Sequence, residues 1–139
     1  MQIDNFNSDI FFQEDFIGNL SRVRCLFDEY IEDSPIAFFM YFDRIVAMIR
    51  VIAADDSVEC RVIDFELANK LDAIDVSENA LWKDAIGSQL HWVWSLINNQ
   101  GYTDGIQFEW TNHSLKISIV IQAIAIASHF QLYKIERFV

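Results

Sequence analysis

The chain is 139 residues long, with 53% hydrophobic and 14% aromatic residues against four glycines and one proline. That composition builds one apolar domain, 1–139, and excludes disordered, linker-rich and repetitive architectures. A net charge of −11 disfavours nucleic acid and anionic membrane as partners and favours a basic one, although the same acidity also keeps a very apolar small domain soluble.

Residues 4–33 mix Asp4, Asp9, Glu14 and Asp15 with Phe11, Phe12, Phe16 and Ile17 before the run RVRCLFDEYIED. A short helical start and then a strand near 21–31 are expected, ended by Asp33-Ser34-Pro35 because proline lacks an N–H donor and fixes its φ. Residues 36–67, IAFFMYF-DR-IVAMIRVIAA-DDS-VECRVIDFEL, read as a β-meander: three runs of β-branched and aromatic residues broken by Asp43-Arg44 and Asp55-Asp56-Ser57. Their apolar residues fall on both faces, which calls for a sheet covered on both sides or strongly curled.

Asp75-Val76-Ser77-Glu78 has the spacing of a capping box and predicts a short helix over 77–86. Over 88–97 a helical face (Ile86, Leu90, Val93, Trp94, Ile97) competes with a strand face (Leu90, Trp92, Trp94, Leu96). Gly87 and the Trp-Val-Trp run favour the strand. Residues 98–105 then connect a hairpin whose returning strand is GIQFEW, with Gly101 and Gly105 available for positive φ. A turn at 111–114 leads into LKISIVIQAIAIA, where the alternation changes phase after Ile121 and points to a bulge near Gln122-Ala123. Residues 130–139 supply an edge strand or a docking segment. The expected fold is α+β or mainly β, a curved antiparallel sheet of about seven or eight strands with one or two short helices.

Chemistry is hard to find. His91, His113 and His129 show no metal-site spacing, and there is no phosphate loop, GxGxxG or GxSxG. The carboxylate pairs Asp28-Glu29, Glu32-Asp33 and Asp55-Asp56 fall at predicted turns or strand ends, where solvated charge is the ordinary reading. Cys25 and Cys60 match no metal or redox motif and read as small buried hydrophobes. No catalyst, metal or cofactor is therefore expected. The sequence opens without a basic, apolar leader and has no run near the roughly 18 apolar residues of a membrane helix, so a cytoplasmic protein is expected.

Two groups of residues remain as candidate sites. Residues 1–84 carry 18 acidic and 7 basic side chains, whereas 85–139 carry three of each. The acidity belongs to the first part, and Asp28, Glu29, Glu32, Asp33, Asp55 and Asp56 form the partner-facing group. The second group surrounds Trp82, Trp92, Trp94 and Trp110. Core packing of Trp92 and Trp94 is the ordinary outcome. The alternative is a small-molecule or interface groove in which they stand beside Asn99, Gln100, Tyr102 and Asp104.

The stretch GSQLHWVWSLINNQGYTDGIQFEW, followed by its aliphatic run, resembles the C-terminal half of a family of small uncharacterised bacterial domains. There a tryptophan-bearing strand precedes an Asn-Gln-Gly-Tyr-x-Asp turn, matched here by Trp94, Asn99, Gln100, Gly101, Tyr102 and Asp104. That resemblance implies no activity. In size, acidity and lack of catalytic motifs the chain is also similar, as a class, to bacterial immunity proteins, which implies a basic toxin as protein partner. A homodimer through an exposed sheet edge, the C-terminal strand above all, fits either reading.

Overall fold

The computed structural model describes residues 18–28 and 31–138, with the backbone alone at 31–33 and 137–138. The strands are β1 (Arg22–Asp28), β2 (Ile31–Tyr41), β3 (Val46–Ile52), β4 (Ser57–Ile63), β5 (Ile74–Asp75), β6 (Gln89–Ile97), β7 (Thr103–Asn112), β8 (Ile117–Ile126) and β9 (His129–Phe138). One helix, α1 (Phe65–Lys70), lies between β4 and β5. They form two antiparallel sheets, ordered β4-β3-β2-β1-β5 and β6-β7-β8-β9. The single curved sheet expected from the sequence is thus two sheets, because the chain leaves the first after β5 and starts a second meander at β6. The helical start expected within 1–17 lies outside the described residues.

The two sheets pack face to face, β2 against β9 and β4 against β7, as a sandwich. From the first sheet Val23, Cys25, Phe38, Met40, Ala47, Ile49, Val58 and Cys60 enter a common core. It is completed from the second by Ile106, Phe108, Trp110, Ile119, Ile121, Ala123, Ala125 and Phe130. Phe38 is its centre: its ring meets Phe130 at 5.3 Å, Trp82 at 5.5 Å and Phe108 at 6.3 Å. Edge-on and tilted contacts of this kind add to the area term for burial.

The meander over 36–67 is present as β2, β3 and β4, and its apolar outer face is explained by α1. Ala37, Phe39, Tyr41, Val46 and Ile63 are buried with Ala68 of the helix, and Phe65, Leu71 and Ala73 pack on them. The sequence reading continued β4 through Leu67, whereas Asp64 stops it: its carboxylate accepts the Leu67 N–H at 2.7 Å as an N-cap. At the other end the Arg24 guanidinium donates to the carbonyls of Ala68, Leu71 and Ala73 at 3.0–3.1 Å, fastening the C-terminal end of the helix and the segment after it to β1.

Three further expectations are corrected. Pro35 does not end a strand but lies within β2, opposite Phe27 at an irregular step of the β1 register and beyond the last β3 pair, Ala37–Arg50. No ladder donor is needed there. The helix expected over 77–86 is a chain of separate turns: Asp75 Oδ1 accepts the Ser77 N–H at 2.9 Å, and Ser77 Oγ is taken by the Val23 N–H at 2.9 Å. With its cap anchored to β1, the segment spans from sheet to sheet and sets Trp82 and Ala85 in the core. Lastly, β8 carries no bulge, since its pairing with β7 and β9 is regular throughout. Ile119, Ile121, Ala123 and Ala125 face inward, and Ile124 and Ile126 stand on the outer face of an unbroken strand.

The strand reading of 88–97 is borne out by β6, and the expected hairpin follows it. Gly101 has φ +89°, but Gly105 lies in extended β7 and has another reason to be glycine: a Cβ there would stand 3.0 Å from the Ala123 carbonyl and from Leu96 Cδ1. β9 is the expected edge strand.

Candidate functional site

Antiparallel meanders place alternate turns at one end, so the end of β1 and the turns following β3, β6 and β8 come together. They are fastened by side chains. Tyr102 Oη donates to the Asp55 carbonyl at 2.9 Å, joining the β6–β7 and β3–β4 turns. Asp56 accepts the Ser128 N–H at 2.7 Å, joining the β3–β4 and β8–β9 turns. Asp28, at the end of β1, has its Oδ2 3.4 Å from His129 Nε2, while His129 Nδ1 is 2.8 Å from the Ala127 carbonyl.

Two groups that looked separate in sequence are thereby one surface. Asp28, Asp55 and Asp56 come from the acidic group, and Asn99, Gln100, Tyr102 and Asp104 from the turn beside the tryptophans. The carboxylates also hold the turns in shape, as Asp55 Oδ1 accepts the Ser57 N–H at 2.8 Å and Asp104 Oδ2 accepts from Asn98 Nδ2 at 3.3 Å. Within the β6–β7 turn Asn98 Oδ1 accepts the Gln100 N–H at 2.9 Å, an Asx-turn of the kind asparagine favours. Asn99 and Gln100 are exposed at its tip, and Asp28, Asp55, Asp56, Tyr102 and Asp104 are half-buried. The turn residues 53–56, 98–102 and 127–128 include no Lys or Arg. Glu32 and Asp33 stand at the start of β2 at this end; their side chains, and Glu29 altogether, lie outside the described residues.

The tryptophans do not form one cluster. Trp82 and Trp110 are buried, Trp110 stacked on Phe42 at 6.1 Å, whereas Trp92 and Trp94 are 50% and 40% exposed. The cause is a bulge in β6: Leu90 pairs Trp110 but Trp92 pairs Glu109, with His91 as the extra residue. A bulge inverts the side-chain phase beyond it. Val93 therefore faces the core, and Trp92 and Trp94 face outward. There Trp94, Gln107, Gln122 and Tyr133 lie side by side across four strands, with Gln122 Nε2 donating to Gln107 Oε1 at 3.0 Å.

One grouping that the sequence did not suggest is a hollow on the same outer face, lined by His91, His113, Glu109, Thr111 and Ser118 among others. Glu109 Oε1 already accepts from Ser118 Oγ at 2.7 Å. Among the described residues no three His, Cys, Asp or Glu side chains converge as metal ligands. Cys25 and Cys60 are free and buried, and burial pushes the Cys25 thiol up to about 12 and the Cys60 thiol higher still. Among the described residues no helix is long and apolar enough to cross a membrane.

A family model described as a family of unknown function, DUF6334, matches residues 4–138, and the chain belongs to that family. Neither a curated protein nor a solved structure matches the chain.

Proposed function

We propose that the chain is a non-catalytic protein–protein interaction domain whose acidic turn end receives a basic partner, in the manner of bacterial immunity proteins that bind and neutralise a toxin. The observation that carries this reading is the convergence of Asp28 at the end of β1, Asp55 and Asp56 on the β3–β4 turn and Asp104 at the start of β7, at an end whose turns are bonded to one another. Loops fixed in this way lose little conformational freedom on binding. A one-signed surface speeds encounter with a basic protein and discriminates against acidic ones. Exposed Asn99 and Gln100 add uncharged hydrogen-bonding groups at the tip. A homodimer through the β9 edge is compatible with this use of the turn end.

The test is affinity capture of the tagged protein from its own cells at low and high salt, beside a variant with Asp28, Asp55, Asp56 and Asp104 changed to Asn. Asparagine keeps an acceptor oxygen at each internal bond while removing the charge. The expected result is a stoichiometric basic protein that is lost at high salt and not captured by the variant. Capture of the chain alone, or a partner that the variant retains, refutes the reading.

A further inference from the structure

Between β1 and the start of β2 on one side and β9 on the other lies a hollow of about 340 Å³, with the 76–82 segment as its third wall. We propose that it binds a small uncharged molecule with an apolar body about two or three rings in size and a hydrogen-bonding end. Its lining residues are distinct from the turn carboxylates, so this site and the acidic turn end stand or fall separately.

The lining dictates the ligand class. Cys25, Pro35, Val76, Trp82 and Phe130 are buried and form an apolar floor, whereas Asn79 and Gln131 are exposed and Ser34 is half-buried at the rim. Gln131 Nε2 reaches Ser34 Oγ at 3.4 Å, a long contact that a ligand's donor or acceptor can replace. Among the described residues no lining side chain is Asp, Glu, Lys, Arg or His, and the Cys25 thiol, raised by burial, stays protonated at neutral pH. A charged ligand would lose its hydration without a counter-ion, which is costly. The size falls at the lower end of the roughly 300–1,000 Å³ typical of ligand pockets, which excludes long chains.

The walls are also held in place. Lys134 Nζ donates to the Ala80 carbonyl at 2.7 Å, tying the 76–82 segment to β9, and the Val23 N–H to Ser77 Oγ bond ties it to β1. Trp82 is fixed against Phe38. The hollow is therefore preformed, as small-molecule sites usually are.

The test uses N-phenyl-1-naphthylamine, a neutral fluorophore of suitable size, and its sulfonated relative 1-anilinonaphthalene-8-sulfonate, with the indole N–H signals of the full chain followed by NMR. The neutral probe should bind saturably and move the Trp82 signal while those of Trp92, Trp94 and Trp110 stay in place. The sulfonate should bind more weakly. Leu132→Trp and Leu81→Trp, each filling the hollow from a different wall, should weaken the neutral probe about ten-fold or more. Movement of Trp92 and Trp94 instead of Trp82, equal binding of the sulfonate, or no saturable binding overturns the proposal. The wild-type spectra decide the matter even if a filled variant fails to fold.

Discussion

The Asp56 carboxylate accepts the backbone N–H of Ser128 at 2.7 Å, and both residues have left-handed backbone, φ 57° and 68°. One bond thus braces two turns that are each unfavourable for a side-chain-bearing residue. Asp56→Ala removes the acceptor and leaves a half-buried donor unpaired, so it should cost about 1–2 kcal/mol, while Asp56→Asn, which keeps an acceptor oxygen, should cost less than half of that. Urea unfolding of the three proteins measures both values. Equal losses would mean that the charge, not the acceptor, holds the turns.

The neighbouring turn makes a prediction of opposite sign. Ala127 and Ser128, φ 51° and 68°, close the two-residue hairpin between Ile126 and His129, the geometry for which Asn-Gly is the favoured pair. Ala127→Asn with Ser128→Gly relieves the strain and keeps the N–H that Asp56 accepts. The double variant should gain about 1 kcal/mol, seen as a rise in Tm of about 2–5 °C.

The sequence displays local patterns and hides non-local ones, and this chain divides along that line. The meander of β2, β3 and β4 was legible because β-branched runs and polar breaks are local signals. The α1 helix was missed because Asp64 is followed at the third position by Leu67 and not by Glu. The capping-box pattern at Asp75 to Glu78 misled because Ser77 Oγ is engaged by Val23, a partner 54 residues away. Nor could the sequence unite the acidic group with the Asn-Gln-Gly-Tyr turn, since the bonds that do so join residues 47 and 72 apart.

Glu59 on β4 predicts a pH dependence. Burial would raise its carboxyl, but Arg50 and Arg61 outweigh that and hold it below its ordinary value. Arg50 donates to Oε2 from Nε at 2.9 Å and from Nη2 at 2.6 Å, and Arg61 pairs with Oε1. A carboxyl whose folded pKa is depressed stabilises the fold above its unfolded pKa, and that contribution disappears as pH falls through the folded value. The guanidinium groups are about half exposed, so solvent screening reduces the gain. Glu59→Gln should therefore lower stability by about 1 kcal/mol at pH 7, and the difference from wild type should shrink as the solution is acidified below the carboxylate range. Urea midpoints across that range test the sign. A gap that widens in acid would contradict it.

The β6 bulge at His91 makes the sharpest contrast. Without it Leu90, Trp92 and Trp94 would share the core face, as the alternation suggests; with it, Trp92 and Trp94 project outward while Trp110 remains packed on Phe42 and Phe108 at 6.1 and 6.0 Å. Trp110→Ala removes a fully buried side chain and should cost about 3–5 kcal/mol, most of the stability of a marginal domain. Trp92→Ala and Trp94→Ala, at half-exposed positions, should each cost about 1 kcal/mol or less. Acrylamide quenching supplies an independent check, because Trp92→Phe with Trp94→Phe should remove most of the quenchable emission and leave the shielded signal of Trp82 and Trp110. If Trp94→Ala were instead as damaging as Trp110→Ala, the strand would be unbulged and its phase the opposite one. The outer row of Trp94, Gln107, Gln122 and Tyr133 would then keep an aromatic residue at only one end, Tyr133.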